Sequence, residues 1–162
     1  MLVDRKLPET IDTERLGAAL ARTVPWQAPQ ALTVFLQGEL GAGKTTLVRG
    51  LLRAMGVQGT VRSPSYTLLE SYELGGHRVL HLDLYRLRSA DELEALGLRD
   101  EFHAGTLVLI EWPERGVERL PSPDVCVTLA LAGEGRQVRI EVTTVIGEEW
   151  SAALERELKS QV

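Results

Sequence analysis

The spacing of apolar residues changes several times along the chain, and each change marks an element. Leu16, Leu20 and Val24 recur every four residues, which predicts a helix over 12–24 with Asp12 as its cap. Pro25 to Pro29 breaks it. Ala31 to Gln37 is a short, mostly apolar run of the kind that forms a parallel strand buried on both faces. Past a glycine-rich stretch, Leu47, Val48, Leu51, Leu52 and Met55 fall on one helical face, and Gly56 suits the C-cap. A polar connection covers 57–65. Two strand-like runs, Tyr66 to Leu74 and Arg78 to Leu84, flank Gly75-Gly76, a hairpin signal. Ser89-Ala90-Asp91-Glu92 has the form of a capping box, so a short helix is expected from Ala90 to Leu96, ended by Gly97. Thr106 to Glu111 is a second doubly buried strand that closes on a carboxylate. Pro121-Ser122-Pro123 interrupts the chain. Val125 to Leu131 and Gln137 to Val142 alternate as paired strands around Gly133-Glu134-Gly135, and Glu148 to Leu158 reads as a terminal helix.

These elements describe an α/β protein. Strand, glycine-rich loop and helix in direct succession predict a three-layer P-loop NTPase fold: a mixed, largely parallel central sheet flanked by helices. No repeat or linker divides residues 1–162, so a single domain is expected. The net charge of −5 argues against a protein whose main task is gripping nucleic acid, since such domains carry a basic face. Met1 to Lys6 lacks the apolar core of a signal peptide, and no run approaches the ~18 apolar residues of a membrane helix. A cytoplasmic setting is the natural expectation. The lone cysteine, Cys126, lies in an alternating apolar run and reads as a small buried hydrophobe.

The candidate chemistry begins at Gly38-Glu39-Leu40-Gly41-Ala42-Gly43-Lys44-Thr45. Glycines let the backbone curl so that N–H groups face phosphate oxygens, and the following helix adds its positive end. Lys44 can reach the β- and γ-phosphates of a nucleoside triphosphate, and the Thr45 hydroxyl can ligate Mg²⁺. Thr46 repeats the hydroxyl one place beyond the metal-ligand position.

A phosphate cradle needs more residues to hydrolyse its ligand. Mg²⁺ usually takes a further carboxylate at the end of a neighbouring strand. Glu111 ends the most apolar strand of the chain and is the leading candidate. In His81-Leu82-Asp83-Leu84-Tyr85, alternation puts His81, Asp83 and Tyr85 on one face, opposite Leu80, Leu82 and Leu84. That face is either a site or the wet side of an edge strand. In a site, Asp83 would orient or deprotonate a water, or hold a metal-bound one. Ser63-Pro64-Ser65-Tyr66-Thr67 is either an ordinary Ser-Pro turn or a segment that senses the γ-phosphate. Trp112 follows Glu111 directly. Arg62, Arg86 and Arg136 could each neutralise phosphate, and the sequence does not choose among them.

In combination these blocks resemble the TsaE family of small bacterial P-loop ATPases, which act in making threonylcarbamoyladenosine in tRNA. The resemblance runs from Leu16 to about Pro121. It rests on the Gly38–Thr46 block, Ser63-Pro64-Ser65-Tyr66-Thr67-Leu68, His81-Leu82-Asp83-Leu84-Tyr85-Arg86-Leu87 and Ile110-Glu111-Trp112-Pro113. The first block is common to many NTPases, while the other three in this order are specific. Ser65 departs from the threonine usual in the family and keeps the hydroxyl. The resemblance implies ATP and Mg²⁺ as cofactors, with Thr45 and Glu111 as metal ligands and Leu40, Gly41, Ala42, Gly43, Lys44 and Thr45 around the phosphates. It makes Lys44, Asp83 and Glu111 the catalytic set and Ser63 to Thr67 a switch-like segment. It places Trp112 close to the nucleotide, and makes Thr10, Thr13 and Arg136 further contacts. It also implies partners, TsaB and TsaD, with tRNA engaged only through that complex and an ATPase slow on its own.

The main alternative is a small-molecule kinase. It would carry a lid rich in arginines, and no such cluster follows the third strand. A module that binds nucleotide without turnover is a further alternative. A GTPase lacks support, because the chain holds no Asn-Lys-x-Asp segment.

Overall fold

The computed structural model describes residues 2–162. The strands are β1 (Leu2–Leu7), β2 (Leu32–Gln37), β3 (Leu69–Leu74), β4 (His77–Asp83), β5 (Thr106–Glu111), β6 (Val125–Ala132) and β7 (Gly135–Val142). The helices are α1 (Thr10–Arg22), α2 (Lys44–Ala54), α3 (Asp91–Ala95) and α4 (Val145–Ser160). All seven strands join one sheet in the order β1-β7-β6-β2-β5-β4-β3. Its centre is parallel, with β2 paired to both β5 and β6 and β5 paired to β4. The outer pairings, β3–β4, β6–β7 and β1–β7, are antiparallel. The mixed sheet with a parallel centre is the architecture read from the chain.

Parallel strands need cover on both faces, and β5 shows how the sequence supplies it. Leu107 and Leu109 face one way, into a core formed with Leu16 and Leu20 of α1, Leu47, Val48, Leu51 and Leu52 of α2, and Trp150 and Leu154 of α4. Val108 and Ile110 face the other way, against Phe35, Leu80, Leu82 and Leu84, with Leu87, Leu93 and Leu98 above them. Glu111 continues the Leu107–Leu109 parity, and His81 and Asp83 continue that of Val79. All three therefore emerge on the side of the sheet that carries α2.

Helices α1 and α2 approach each other through two glycines. A Cβ on Gly17 would stand 2.0 Å from the Leu47 carbonyl oxygen, and one on Gly50 would stand 2.1 Å from that of Glu14. The Arg49–Glu14 ion pair, at 3.0 Å, closes the same interface. This contact sets α1 beside the start of α2.

The structure adds one element and corrects three local expectations. Residues 2–7, read only as lacking a leader, form edge strand β1. Its polar centre, Asp4-Arg5-Lys6, hides the pattern, and pairing with β7 confers the strand. Helix α1 starts at Thr10, and Asp12 acts one turn inside it by accepting the Glu9 N–H at 2.9 Å. Tyr66 to Leu68 is a turn and not strand. Leu68 takes a left-handed φ of 68° and its N–H bonds back to Pro64 O at 2.7 Å, so β3 begins at Leu69. Helix α4 begins at Val145, where Thr144 caps it by accepting the Gly147 N–H at 3.1 Å.

Alanine is a better helix former than glycine by about 0.8–1.0 kcal/mol. At Gly17 that gain meets backbone that cannot retreat, and overpacking costs about 1–3 kcal/mol. The Gly17→Ala variant is expected to lose about 1–3 kcal/mol in urea unfolding. An unchanged midpoint would contradict the close helix contact.

Candidate functional site

The site forms where β2, β5 and β4 end together. Register pairs Leu36 with Glu111 and Asp83 with Glu111, so three strand ends lie side by side. The ladder continues just past the strands, with Trp112 N–H bonded to Leu36 O at 3.3 Å and Leu84 N–H to Glu111 O at 3.0 Å. In open α/β sheets this edge is where ligands bind.

The loop from Gly38 leaves β2 and enters α2 through Gly43, whose φ of 110° is left-handed. Any side chain there would also crowd Arg136, 3.1 Å from the Cβ position. Position 43 therefore needs glycine for both backbone and space. Lys44 is buried. Its Nζ donates to Gly38 O and to Glu39 O (3.0 Å) and sits 4.3 Å from the centroid of the Trp112 ring. Burial lowers the Lys44 pKa, against the opposing pull of Glu111 and Asp83.

Opposite Lys44 stand two buried carboxylates. The Thr45 hydroxyl donates to Glu111, 3.0 Å from Oε1 and 3.1 Å from Oε2. The Ser63 hydroxyl is shared between Asp83 Oδ2 and Glu111 Oε2, the latter at 3.2 Å. Asp83 Oδ1 accepts the Tyr85 N–H at 2.9 Å. His81 is fully buried with Nε2 2.6 Å from Glu111 Oε2. Trp112 takes a left-handed φ of 58°, and its ring stands 4.9 Å from that of Tyr85.

Together these residues border a cavity of about 560 Å³. It is lined by Leu40, Gly41 and Gly43 of the loop and Lys44, Thr45 and Thr46 of the first turn of α2, with Ser63, Asp83, Glu111 and Trp112 facing them. The size is that of a cofactor or small-molecule site. Arg86 is the arginine of this lining. Arg136 approaches from β7, with Nη2 donating to Gly41 O at 3.1 Å. Thr13 is buried against Gly43, and its Oγ1 has no hydrogen-bond partner among the described residues. Ala42 is buried beneath the loop. Thr10 is exposed in the first turn of α1, outside the cavity lining.

A divalent metal fits this donor set. Mg²⁺ takes oxygen ligands, commonly one or two carboxylates completed by substrate phosphates and water. The Thr45 hydroxyl and Glu111 carboxylate supply oxygens from opposite walls. Among the described residues no group of three His, Cys, Asp or Glu side chains forms a self-sufficient metal cage. The arrangement thus suits a cation that arrives with a polyphosphate.

Comparison with known proteins bears on what this cavity serves. The family profile described as threonylcarbamoyl adenosine biosynthesis protein TsaE matches residues 7–140. The chain belongs to the TsaE family. Among its relatives, the tRNA threonylcarbamoyladenosine biosynthesis protein TsaE of Haemophilus influenzae is 40% identical over 143 residues, covering 88% of this chain and 90% of that one. That of Bacillus subtilis is 32% identical over 147 residues, covering 90% and 89%. The crystal structure of Bacillus subtilis YdiB superposes with a TM-score of 0.73 over 100% of this chain and 97% of that one, at 22% identity, which shows the shared fold. TsaE membership associates the chain with biosynthesis of threonylcarbamoyladenosine in tRNA. A P-loop protein of this kind is a nucleotide binder.

Two residues acquire meaning only here. His81 was recognisable as a neighbour of Asp83 by alternation, but its contact with Glu111 depends on the β4–β5 register. Ser63 lay in a segment already singled out, yet nothing local showed that it bridges two carboxylates. No helix among the described residues is long and apolar enough to cross a membrane.

Nucleotide binding is expected to draw Lys44 away from the Trp112 ring and so to change tryptophan emission. Trp26 and Trp150 lie outside the cavity lining, so Trp112→Phe should abolish the change while leaving their signal. A full response in Trp112→Phe would show that the emission change arises elsewhere.

Proposed function

We propose that this TsaE-family chain binds ATP with Mg²⁺ in the cavity at Gly38–Thr45 and hydrolyses it. The turnover would serve the TsaB–TsaD complex in forming threonylcarbamoyladenosine in tRNA, with tRNA engaged only through that complex. The observation that carries the reading is the Thr45–Glu111 contact, which brings a P-loop hydroxyl and a strand-end carboxylate within 3.0 Å in the lining of the cavity.

The roles follow from position. Lys44 would leave the Gly38 and Glu39 carbonyls and neutralise the β- and γ-phosphates. Thr45 and Glu111 would hold Mg²⁺, which when bound offsets charge on the phosphate oxygens. Asp83 stands beside Glu111 in register and is buried, so it would orient the attacking water or take its proton. Ser63 now occupies oxygens of both carboxylates, and its release would couple the Ser63–Thr67 segment to the γ-phosphate. Arg136 would lie over the loop near the phosphates. The cavity lining carries one arginine among the described residues, which gives little support to the lid of a small-molecule kinase.

The test is phosphate release from ATP, measured with and without Mg²⁺ and with and without TsaB and TsaD. Turnover is expected to require Mg²⁺ and to rise with the partners. Asp83→Asn should lower it by about a hundredfold or more, the scale of a lost general base. Turnover left intact in both Asp83→Ala and Glu111→Ala would remove the site assignment. Tight ATP binding with no turnover in the assembled system would leave a binding module instead.

A further inference from the structure

We infer that His81 is a positioning residue: it holds one oxygen of Glu111 so that the other is presented to the metal beside Thr45. The inference rests on the reading of Thr45 and Glu111 as Mg²⁺ ligands.

A buried carboxylate must find its hydrogen bonds inside the protein. Glu111 is 2% exposed, so water cannot supply its hydrogen bonds, and an unsatisfied buried charge is costly. Three described side chains donate to it, from Thr45, Ser63 and His81. Two of these donors are needed elsewhere once ligand arrives. Thr45 turns its oxygen to the metal, and Ser63 belongs to the connection before β3, where it also serves Asp83. His81 is different. It lies within β4, is fully buried, and pairs in register with Leu109 of β5. It is the donor that stays.

The geometry also separates the two carboxylate oxygens. Oε2 takes His81 at 2.6 Å and Ser63 at 3.2 Å and shares the Thr45 hydroxyl, at 3.1 Å, with Oε1, whose sole partner among the described residues is that hydroxyl at 3.0 Å. A carboxylate oxygen offers about two lone pairs, so Oε2 is filled and Oε1 is open toward the Thr45 side. An ionised carboxylate can only accept, which places the imidazole proton on Nε2. His81 Nδ1 has no hydrogen-bond partner among the described residues, so Glu111 is the one group that fixes the ring. Partners of this kind behind a metal ligand typically change metal affinity by about 10–100-fold when removed.

The test separates metal from nucleotide. Affinity for adenylyl imidodiphosphate is measured by calorimetry in Mg²⁺ and in EDTA, for the native chain, His81→Leu and His81→Gln. His81→Leu keeps bulk and loses the donor, whereas the amide of glutamine can reach the same oxygen. His81→Leu is expected to lose about tenfold or more in the Mg²⁺ arm, with the EDTA arm within about twofold of native. His81→Gln should recover most of the loss. Equal Mg²⁺ binding in His81→Leu and native chain would overturn the inference, as would equal losses in both arms or a glutamine variant no better than leucine. A native chain indifferent to Mg²⁺ would instead remove the metal reading on which the inference rests. The native chain gives a second measure that needs no variant. Imidazole nitrogen NMR shifts should report a proton on Nε2 with and without the Mg²⁺ complex of the analogue. A proton on Nδ1 with bare Nε2 would overturn the inference.

Discussion

Parallel pairing of β5 between β2 and β4 is the constraint on which the chemistry of this chain depends. The pairing sets Glu111 against Leu36 at the root of the P-loop and against Asp83 on the other side. It is available because Thr106 to Ile110 can be buried on both faces of a sheet. Register is fixed just as firmly. A slip of one residue would turn Glu111 into the apolar layer of Phe35, Leu80 and Leu82 and turn Val108 and Ile110 toward the side of the loop. The hydrophobic effect thus places a carboxylate that it would by itself exclude.

The result is a cluster of charge in a poorly hydrated place. Lys44, Asp83 and Glu111 are all buried, and each finds its partners within the site. Lys44 rests on loop carbonyls and the Trp112 face. The carboxylates are satisfied by Thr45, Ser63, His81 and the Tyr85 N–H. Under the proposed function, the contacts of Lys44 with the loop carbonyls and of Thr45 and Ser63 with Glu111 are the ones a nucleotide and its metal would displace. The free chain thereby compensates its own charges, and a ligand would replace one set of contacts with another. Trp112 adds backbone strain, since a left-handed conformation costs a bulky residue roughly 1–2 kcal/mol. Strained residues of this kind gather where function fixes geometry.

The parts legible in the sequence are those whose cause is local. The loop at Gly38–Thr45 could be read because its glycines, lysine and threonine stand at fixed spacing between a strand and a helix. Glu111 was visible at the end of a doubly apolar run, and Asp83 by the period of two on β4. Other features have distant causes. Strand β1 exists by pairing with residues more than a hundred positions away. The turn at Tyr66–Leu68 carries strand-forming residues, and its left-handed Leu68 is imposed by packing and by the bond to Pro64. Arg62, Arg86 and Arg136 looked alike in sequence, and the structure brings Arg136 onto the loop through β7 and Arg86 to the cavity wall.

What the sequence determined by itself was the glycine-rich loop, the parallel core strands, the strand-end position of Glu111 and, through the order of its blocks, the TsaE family, while it left Asp83 open between a site and a wet strand face. Each rests on residue type and short spacing, which the covalent chain carries directly. What only the tertiary structure decided was how those groups meet. It chose the oxygen of Glu111 that His81 holds, set Ser63 between two carboxylates, and laid Thr13 and Arg136 against Gly43. Those contacts depend on strand register and on the approach of α1 to α2 at Gly17 and Gly50. Register and helix approach are settled by burying both faces of the sheet at once, a condition that no short stretch of sequence contains.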